Sequence, residues 1–285
     1  MPALTSTPRS IVLITGASSG IGEALAACFA QGGYDLMLVA RSADKLQALS
    51  RQLMADYGVR AWVEPADLAV PGAVQKLAVS LKRKRRQIDV LVNNAGVLEQ
   101  APFVKMAAAR HQQLIDLNIS GLTAMLAQFV PPMVARGKGK VLNVASIAAF
   151  QPIPLLATYA ATKAYVLSLS ESLSEELKGS GVTVTALCPG VTATAMLGKA
   201  TEANAQLSKL PAFMIGQVEE VAAEGYAACI RGDAIKVPGV LNLASVLAAR
   251  VAPKWLVRRV GGALGRRAGG VSGSRRAKDC GEGNT

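Results

Sequence analysis

A glycine-rich corner between an apolar strand and a helix constrains this chain more than any other stretch. The apolar run Ile11–Ile14 has strand length, and Ala24–Ala30 has the periodicity of a helix. Between them lies the segment Thr15–Gly22, whose three glycines allow a tight turn and a close approach to the backbone. The helix N-terminus would offer N–H groups and a positive dipole to phosphate oxygens. The glycine spacing departs from Gly-x-Gly-x-x-Gly, so a turn without a ligand stays open as an alternative.

Further strand-length runs alternate with helical periodicity along the chain. The predicted strands are Asp35–Ala40, Arg60–Glu64, Ile88–Val92, Gly139–Ala145 and Val182–Leu187. The predicted helices are Ala43–Tyr57, Gly72–Arg86, Ala107–Asn118, Leu122–Ala135, Tyr159–Lys178 and Val218–Arg231. This alternation is typical of an α/β fold with a parallel, doubly wound β-sheet. Ligands of such sheets bind beyond the carboxyl ends of the strands.

Arg41 follows the second predicted strand, where the adenosine ribose lies in nucleotide-binding sheets of this kind. A carboxylate at that position binds the ribose 2′-OH, whereas an arginine suits a 2′-phosphate. The residue therefore favours NADP over NAD. A surface arginine at a helix start is the alternative.

Tyr159 and Lys163 are four residues apart in a predicted helix, so both side chains project from one face. A phenol has a pKa near ~10, and a neighbouring ammonium stabilises its phenolate, which suits proton transfer to a carbonyl oxygen. Taken alone, this spacing is common in helices, and its meaning depends on the surrounding motifs.

Together the motifs resemble those of the short-chain dehydrogenase/reductase family. The resemblance spans roughly residues 9–240 and implies a Rossmann-type sheet of about seven strands with NAD(P)-dependent hydride transfer. The motifs occur in family order: Thr15-Gly-x-x-x-Gly-x-Gly22, Asn93-Asn-Ala-Gly96, Asn118, Ser146, Tyr159-x-x-x-Lys163, and Pro189-Gly190 with Thr194.

The resemblance implies a role for each of four catalytic residues. Tyr159 would be the general acid or base, and Lys163 would lower its pKa and bind the nicotinamide ribose. Ser146 would polarise the substrate oxygen, and Asn118 would hold a proton-relay water through its backbone.

The resemblance also implies a set of NADP-binding residues. Those for the diphosphate and ribose are Gly16, Ser18, Gly20, Ile21, Gly22 and Asn94. Asp67 and Leu68 would meet the adenine, and Arg41 the 2′-phosphate. Thr192 and Thr194 would bind the carboxamide. The cofactor-binding set is completed by Tyr159, Lys163, Pro189 and Gly190.

The sequence predicts three regions. Residues 1–240 form the catalytic domain, in which residues 195–216 are a substrate loop. Residues 241–265 form a basic amphipathic helix, and residues 266–285 are expected to be disordered. Val237-Pro-Gly239, Asn242 and the helix resemble DltE-like oxidoreductases and the ketoacyl and 17β-hydroxysteroid reductases, which implies an apolar carbonyl substrate. The helix would pack on its own domain or a subunit partner, or make peripheral contact with a membrane.

Composition narrows the remaining choices. The net charge is +12, and nine basic but only two acidic residues lie in residues 250–285. Nucleic acid is disfavoured as a partner, because aromatic residues make up only 4% of the chain. The four scattered cysteines indicate neither a disulfide framework nor a metal site, so we expect a cytoplasmic protein.

The family resemblance implies a homo-oligomer. A nucleotide-sensing protein without turnover is the main alternative.

Overall fold

A parallel seven-stranded β-sheet forms the centre of the computed structural model, which describes residues 9–193 and 215–253, together with 255 and 259. The strand order is β3-β2-β1-β4-β5-β6-β7. In chain order the strands are β1 (Ile11–Thr15), β2 (Asp35–Ala40), β3 (Ala61–Pro65), β4 (Val90–Asn93), β5 (Gly139–Val144), β6 (Val182–Leu187) and β7 (Ile235–Lys236). The order reverses between β1 and β4, where doubly wound sheets bind nucleotides.

Helices cover both faces of the sheet. They are α1 (Gly20–Gln31), α2 (Ala43–Tyr57), α3 (Ala73–Arg83), α4 (Ala108–Ile115), α5 (Leu122–Ala135), α6 (Ala157–Glu176), α7 (Val218–Arg231) and α8 (Val240–Val251). Short 3₁₀ turns lie at Phe103–Lys105 and Ile147–Phe150. A π-helical turn, Asp116–Gly121, joins α4 to α5.

Two apolar layers bury the alternating faces of the strands. Leu13 and Leu91 point into one layer, which is closed by side chains of α5 and α6. Ile14 and Val92 point into the other, which is closed by α1 and α7. Because the central strands are buried on both faces, a strand such as Ile11–Thr15 is apolar along almost its whole length and does not alternate.

The predicted architecture is confirmed, and most element boundaries agree within three residues. The main difference lies at Asp116–Gly121, where the two predicted helices Ala107–Asn118 and Leu122–Ala135 become one helical stretch with a π turn at the junction. The C-terminal helix, predicted for residues 241–265, begins at Val240 and ends at Val251, ahead of Pro253. The basic residues Lys254 and Arg258 and the predicted tail 266–285 lie outside the described residues.

The helical stretch Ala108–Ala135 is long and apolar enough to cross a membrane by length and composition. Its apolar side chains, including Met125, Phe129 and Met133, are buried in the layer beside the sheet. Core packing therefore accounts for its hydrophobicity.

Candidate active site

The glycine-rich turn after β1 forms a tight cradle at the carboxyl edge of the sheet. Gly16 has φ +65°, a conformation that favours glycine. A Cβ on Gly22 would collide with the Gly16 carbonyl group and with the amide of Asn94. Within the described residues, no side chain caps the N-terminus of α1, which begins at Gly20. The turn therefore fits a diphosphate, which needs close backbone approach and free N–H groups.

Asn94 fixes this turn from the end of the neighbouring strand β4. Its side-chain amide donates to the carbonyl oxygens of Thr15, at 3.0 Å, and Gly16, at 3.2 Å. The Thr15 hydroxyl accepts from the backbone N–H groups of Asn94 and Ala95, both at 3.0 Å. The structure thus shows Asn94 in a supporting position, and its predicted contact with the ribose stays a prediction.

Arg41 and Asp67 lie side by side at the ends of β2 and β3. The Arg41 guanidinium is 4.0 Å from the Asp67 carboxylate, and both side chains are exposed. The predicted 2′-phosphate and adenine residues are therefore brought together at one corner. The side chain of Leu68 points into the core and is 7% exposed, so only its backbone can face an adenine ring.

Tyr159 and Ser146 meet where the first turn of α6 approaches the end of β5. Burial raises the pKa of Tyr159 above its ordinary value of 10.0, and a hydrogen bond from Ser146 lowers it in part. The Ser146 hydroxyl also accepts from the backbone N–H of Ala148 at 3.1 Å. The net direction of the Tyr159 pKa is opposite to the lowering expected from Lys163. The physical reason is that burial penalises the phenolate more than its neighbours stabilise it.

Lys163 is buried beneath this pair and is 6% exposed. Its Nζ donates to the carbonyl oxygen of Val144 at 2.7 Å and lies 5.8 Å from the centre of the Tyr159 ring. Burial lowers the pKa of Lys163 from 10.5 to about 8. The ammonium is thus close to its titration point near neutral pH, and it lies on the side of the tyrosine that faces the core.

Asn118, in the π turn, is buried and holds the loop that follows β4. Its side-chain oxygen accepts from the N–H of Val97 at 2.9 Å, and its amide donates to the Val97 carbonyl at 3.0 Å and to the Thr162 hydroxyl at 3.1 Å. Because these bonds occupy the side chain, the predicted water contact could come only from the backbone of Asn118. Thr162 in turn donates to the Tyr159 carbonyl at 2.8 Å, so the π turn is tied to the catalytic helix.

The segment after β6 closes the far side of the site. Pro189 is buried, and its carbonyl accepts from the N–H of Ile147 at 2.9 Å. The Thr192 hydroxyl donates to the Gly190 carbonyl at 3.1 Å. Asn242 of α8 packs so closely on Gly190 that an added Cβ would lie 2.5 Å from its side-chain oxygen. Thr194 and most of the predicted substrate loop 195–216 lie outside the described residues.

Comparison with known proteins identifies the family. The family description "short chain dehydrogenase" matches residues 10–205 of the chain. The chain belongs to this family. Membership makes it an NAD(P)-dependent oxidoreductase, and the predicted family and enzyme class are confirmed.

Relatives of this family member include a 3-oxoacyl-(acyl-carrier-protein) reductase of Synechocystis, which is 33% identical over 77% of the chain and 88% of its own length. A short-chain dehydrogenase of Sphingobium yanoikuyae, solved with NADPH, is 34% identical, covers 94% of this chain and 98% of its own, and has a TM-score of 0.74. An L-sorbose reductase of Gluconobacter frateurii, solved with NADPH and L-sorbose, is 27% identical with a TM-score of 0.72 over 83% of this chain and 98% of its own. The predicted NADP cofactor agrees with these complexes. Their names span an acyl group and a sugar, so membership fixes the reaction type and not the substrate.

Two supporting features of this short-chain dehydrogenase were not predicted from the sequence. The first is the role of Thr15 and Thr162, whose hydroxyls join the loops of the site. The second is a buried chain in which Asn93 donates to Asn143 and Asn143 donates to Ser170, both at 2.9 Å. In the sequence, the only sign of this buried chain is the presence of Asn93 and Asn143 in otherwise largely apolar strands.

Proposed function

We propose that this short-chain dehydrogenase is an NADPH-dependent reductase of a ketone or aldehyde group in a largely apolar small molecule. The observation that carries the proposal is the meeting of Ser146, Tyr159 and buried Lys163 beside the glycine-rich cradle. Because the reaction is reversible, the same residues would serve oxidation of the corresponding alcohol.

The proton in this reaction comes from Tyr159. NADPH, when bound, supplies the hydride for the carbonyl carbon. The raised pKa of Tyr159 keeps the phenol protonated at neutral pH, so it is ready to donate a proton to the carbonyl oxygen. The Ser146 hydroxyl donates to the Pro189 carbonyl at 3.5 Å, and with substrate bound it would turn this proton to the same carbonyl oxygen. Protonated Lys163, beneath the ring, would stabilise the phenolate left after proton transfer.

The preference for NADPH rests on the corner formed by Arg41 and Asp67. Arg41 is exposed just after the end of β2, where a guanidinium can pair with a 2′-phosphate. Asp67 accepts the N–H of Ala69 at 3.1 Å, which fixes the turn on the opposite side of the same corner.

The apolar substrate class rests on α8 and on the resemblance to ketoacyl and hydroxysteroid reductases. α8 packs against the turn Ile147–Phe150, which directly follows Ser146. A largely apolar helix therefore lies beside the reacting groups. The Synechocystis relative, named for a 3-oxoacyl substrate, supports the same class.

The test is NADPH oxidation by the purified chain against a panel of apolar ketones, ketoacyl thioesters and sugar ketones. Turnover of apolar members at higher kcat/KM than the sugars supports the proposal. Preference for the sugars would contradict the substrate class. Tight NADPH binding without any turnover would favour the alternative, a nucleotide-sensing protein of the same fold.

We also propose that α8 makes peripheral contact with a membrane. Its residues Leu241 and Leu247 are 62% and 53% exposed, and basic residues follow the helix in the sequence. Sedimentation with anionic vesicles tests the contact. Leu241→Ser with Leu247→Ser should weaken binding, whereas Val104→Ser, at an exposed apolar residue outside α8, should not. Equal binding by all variants would contradict the contact.

We propose further that the chain is a cytoplasmic homo-oligomer acting on a small molecule and not on nucleic acid. Burial raises the pKa of the Cys229 thiol to about 12, so this thiol is a poor nucleophile at neutral pH. Sedimentation velocity of the purified chain measures its assembly. A single monomeric species at micromolar concentration would contradict the oligomer.

A further inference from the structure

A cavity lies between α3 and α5, far from the catalytic residues. Its volume is about 360 Å³, within the range of small-molecule sites. Ile88 lines it and precedes β4, whereas the catalytic edge lies beyond the other end of that strand. The cavity is therefore separated from the reacting groups by the length of the sheet.

The floor of this α3–α5 cavity is apolar. Leu81, Ile88 and Phe129 line it, and each is no more than 9% exposed. Ala78 and Pro132 complete the apolar lining. The accessible apolar surface comes chiefly from half-buried Ala78 and exposed Pro132, and a hydrocarbon chain packed on them would gain free energy on leaving water.

The rim of the cavity carries three cations. They are Lys82, Arg86 and Arg136. The Arg86 guanidinium lies 3.8 Å from the centre of the Trp62 ring, and Arg136 donates to the Ile88 carbonyl at 2.8 Å. Both arginines are thus held by neutral groups and not by carboxylates.

No acidic residue lines the cavity, and the nearby carboxylates already have partners among the described residues. Glu64 pairs with Lys84 and accepts from Ser80 at 3.5 Å. Asp89 accepts from the N–H of Ile11 at 3.0 Å. The positive charge at the rim is therefore not neutralised from within the cavity.

We propose that the α3–α5 cavity binds an anionic amphiphile, with one alkyl chain on the apolar floor and a carboxylate or phosphate held by Lys82, Arg86 and Arg136. A neutral apolar molecule would leave the three cations unused, and a small inorganic anion would leave the floor exposed to water. Only a ligand with both parts matches both surfaces.

Trp62 provides a direct readout, because Arg86 stacks on its ring. The chain has two tryptophans, so Trp255→Phe leaves Trp62 as the sole tryptophan in the full-length protein. Decanoate and decyl phosphate, each below the concentration at which it forms micelles, should change Trp62 fluorescence saturably. Decanol and inorganic phosphate should bind at least about tenfold more weakly, since each lacks one of the two recognised parts.

Charge reversal at the rim gives the matched comparison. Lys82→Glu should weaken decanoate binding by about tenfold or more, whereas Lys76→Glu, on the same helix but outside the lining, should leave it unchanged. Ketone reduction should stay at the wild-type rate in both variants. Equal weakening by the two substitutions would show non-specific charge attraction and overturn the site.

Two further measurements identify the site at which the ligand binds and whether the ligand comes from solution or from a membrane. Decanoate should bind equally well with saturating NADPH and ketone present, and competition would place it in the catalytic site and overturn the proposal. Vesicles of phosphatidylglycerol distinguish the membrane as a source. Binding of dissolved decanoate supports the cavity, whereas a Trp62 response to vesicles alone would overturn it.

Discussion

Replacing Lys163 by methionine should remove a pH dependence of the free energy of unfolding. Burial lowers the pKa of Lys163 from 10.5 to about 8, so the native state disfavours the charged ammonium. Between these two values the native protein binds fewer protons than the unfolded chain, and stability rises with pH. The free-energy cost of burying the charged ammonium is fully present below pH 8. It is lost as the pH rises from about 8 to 10.5.

The magnitude follows from the two pKa values. At about 1.4 kcal/mol per pKa unit, the charged lysine destabilises the native state by roughly 3 kcal/mol at neutral pH. Lys163→Met removes this penalty but leaves the Val144 carbonyl without its 2.7 Å donor, which costs about 1–3 kcal/mol. At pH 7 we therefore expect the variant to match the wild type or exceed it by about 2 kcal/mol in free energy of unfolding.

The assay is urea unfolding of both proteins without nucleotide at pH 7 and pH 10. The Lys163 contribution should raise the free energy of unfolding of the wild type by about 2.5 kcal/mol between these pH values, relative to Lys163→Met. Lys140→Met is the control, because Lys140 also donates to a main-chain carbonyl, that of Ile230, but is only half-buried. Parallel pH dependence in the wild type and Lys163→Met would refute the argument from burial.

Three other substitutions probe the rest of the site. Ser146→Ala removes the hydrogen bond that lowers the pKa of Tyr159, so the pH midpoint for kcat of alcohol oxidation, which needs the phenolate, should move upward; an unchanged midpoint would count against that bond. Arg41→Ser should weaken NADPH binding by about tenfold or more and leave NADH binding unchanged, as measured by fluorescence titration. Gly22→Ala should destabilise the protein by about 2 kcal/mol or more in urea unfolding, whereas Gly216→Ala, whose Cβ would meet its nearest neighbour at 3.5 Å, should have a smaller effect.

The sequence predicts the fold well because the central strands β1, β2 and β4 are nearly continuous apolar runs. β2 and α2 have the predicted bounds, Asp35–Ala40 and Ala43–Tyr57, since Ser42 separates them and Gly58 ends the helix in a left-handed conformation. The π turn at Asp116–Gly121 was not predicted. It depends on contacts between distant segments, such as Asn118 with Val97 and Gly121 with the Leu68 carbonyl, which no local pattern records.

The sequence also predicts which residues gather at the carboxyl edge, but not how each is used. Spacing in a helix places Tyr159 and Lys163 on one face, whereas the direction of the Tyr159 pKa depends on its burial in the folded protein. The amide of Asn94 holds the glycine-rich turn, a contact that requires β4 to lie beside β1. Such roles follow from strand order, which local sequence patterns do not specify.

The most direct test of the proposed chemistry compares the wild type with Tyr159→Phe for NADPH binding and for reduction of the best apolar ketone. The substitution removes the donated proton and little else, so NADPH affinity should change by less than about threefold while kcat falls by about 100-fold or more. Retained turnover in Tyr159→Phe would contradict the central role of Tyr159. Loss of NADPH binding would show that the residue mainly holds the nucleotide.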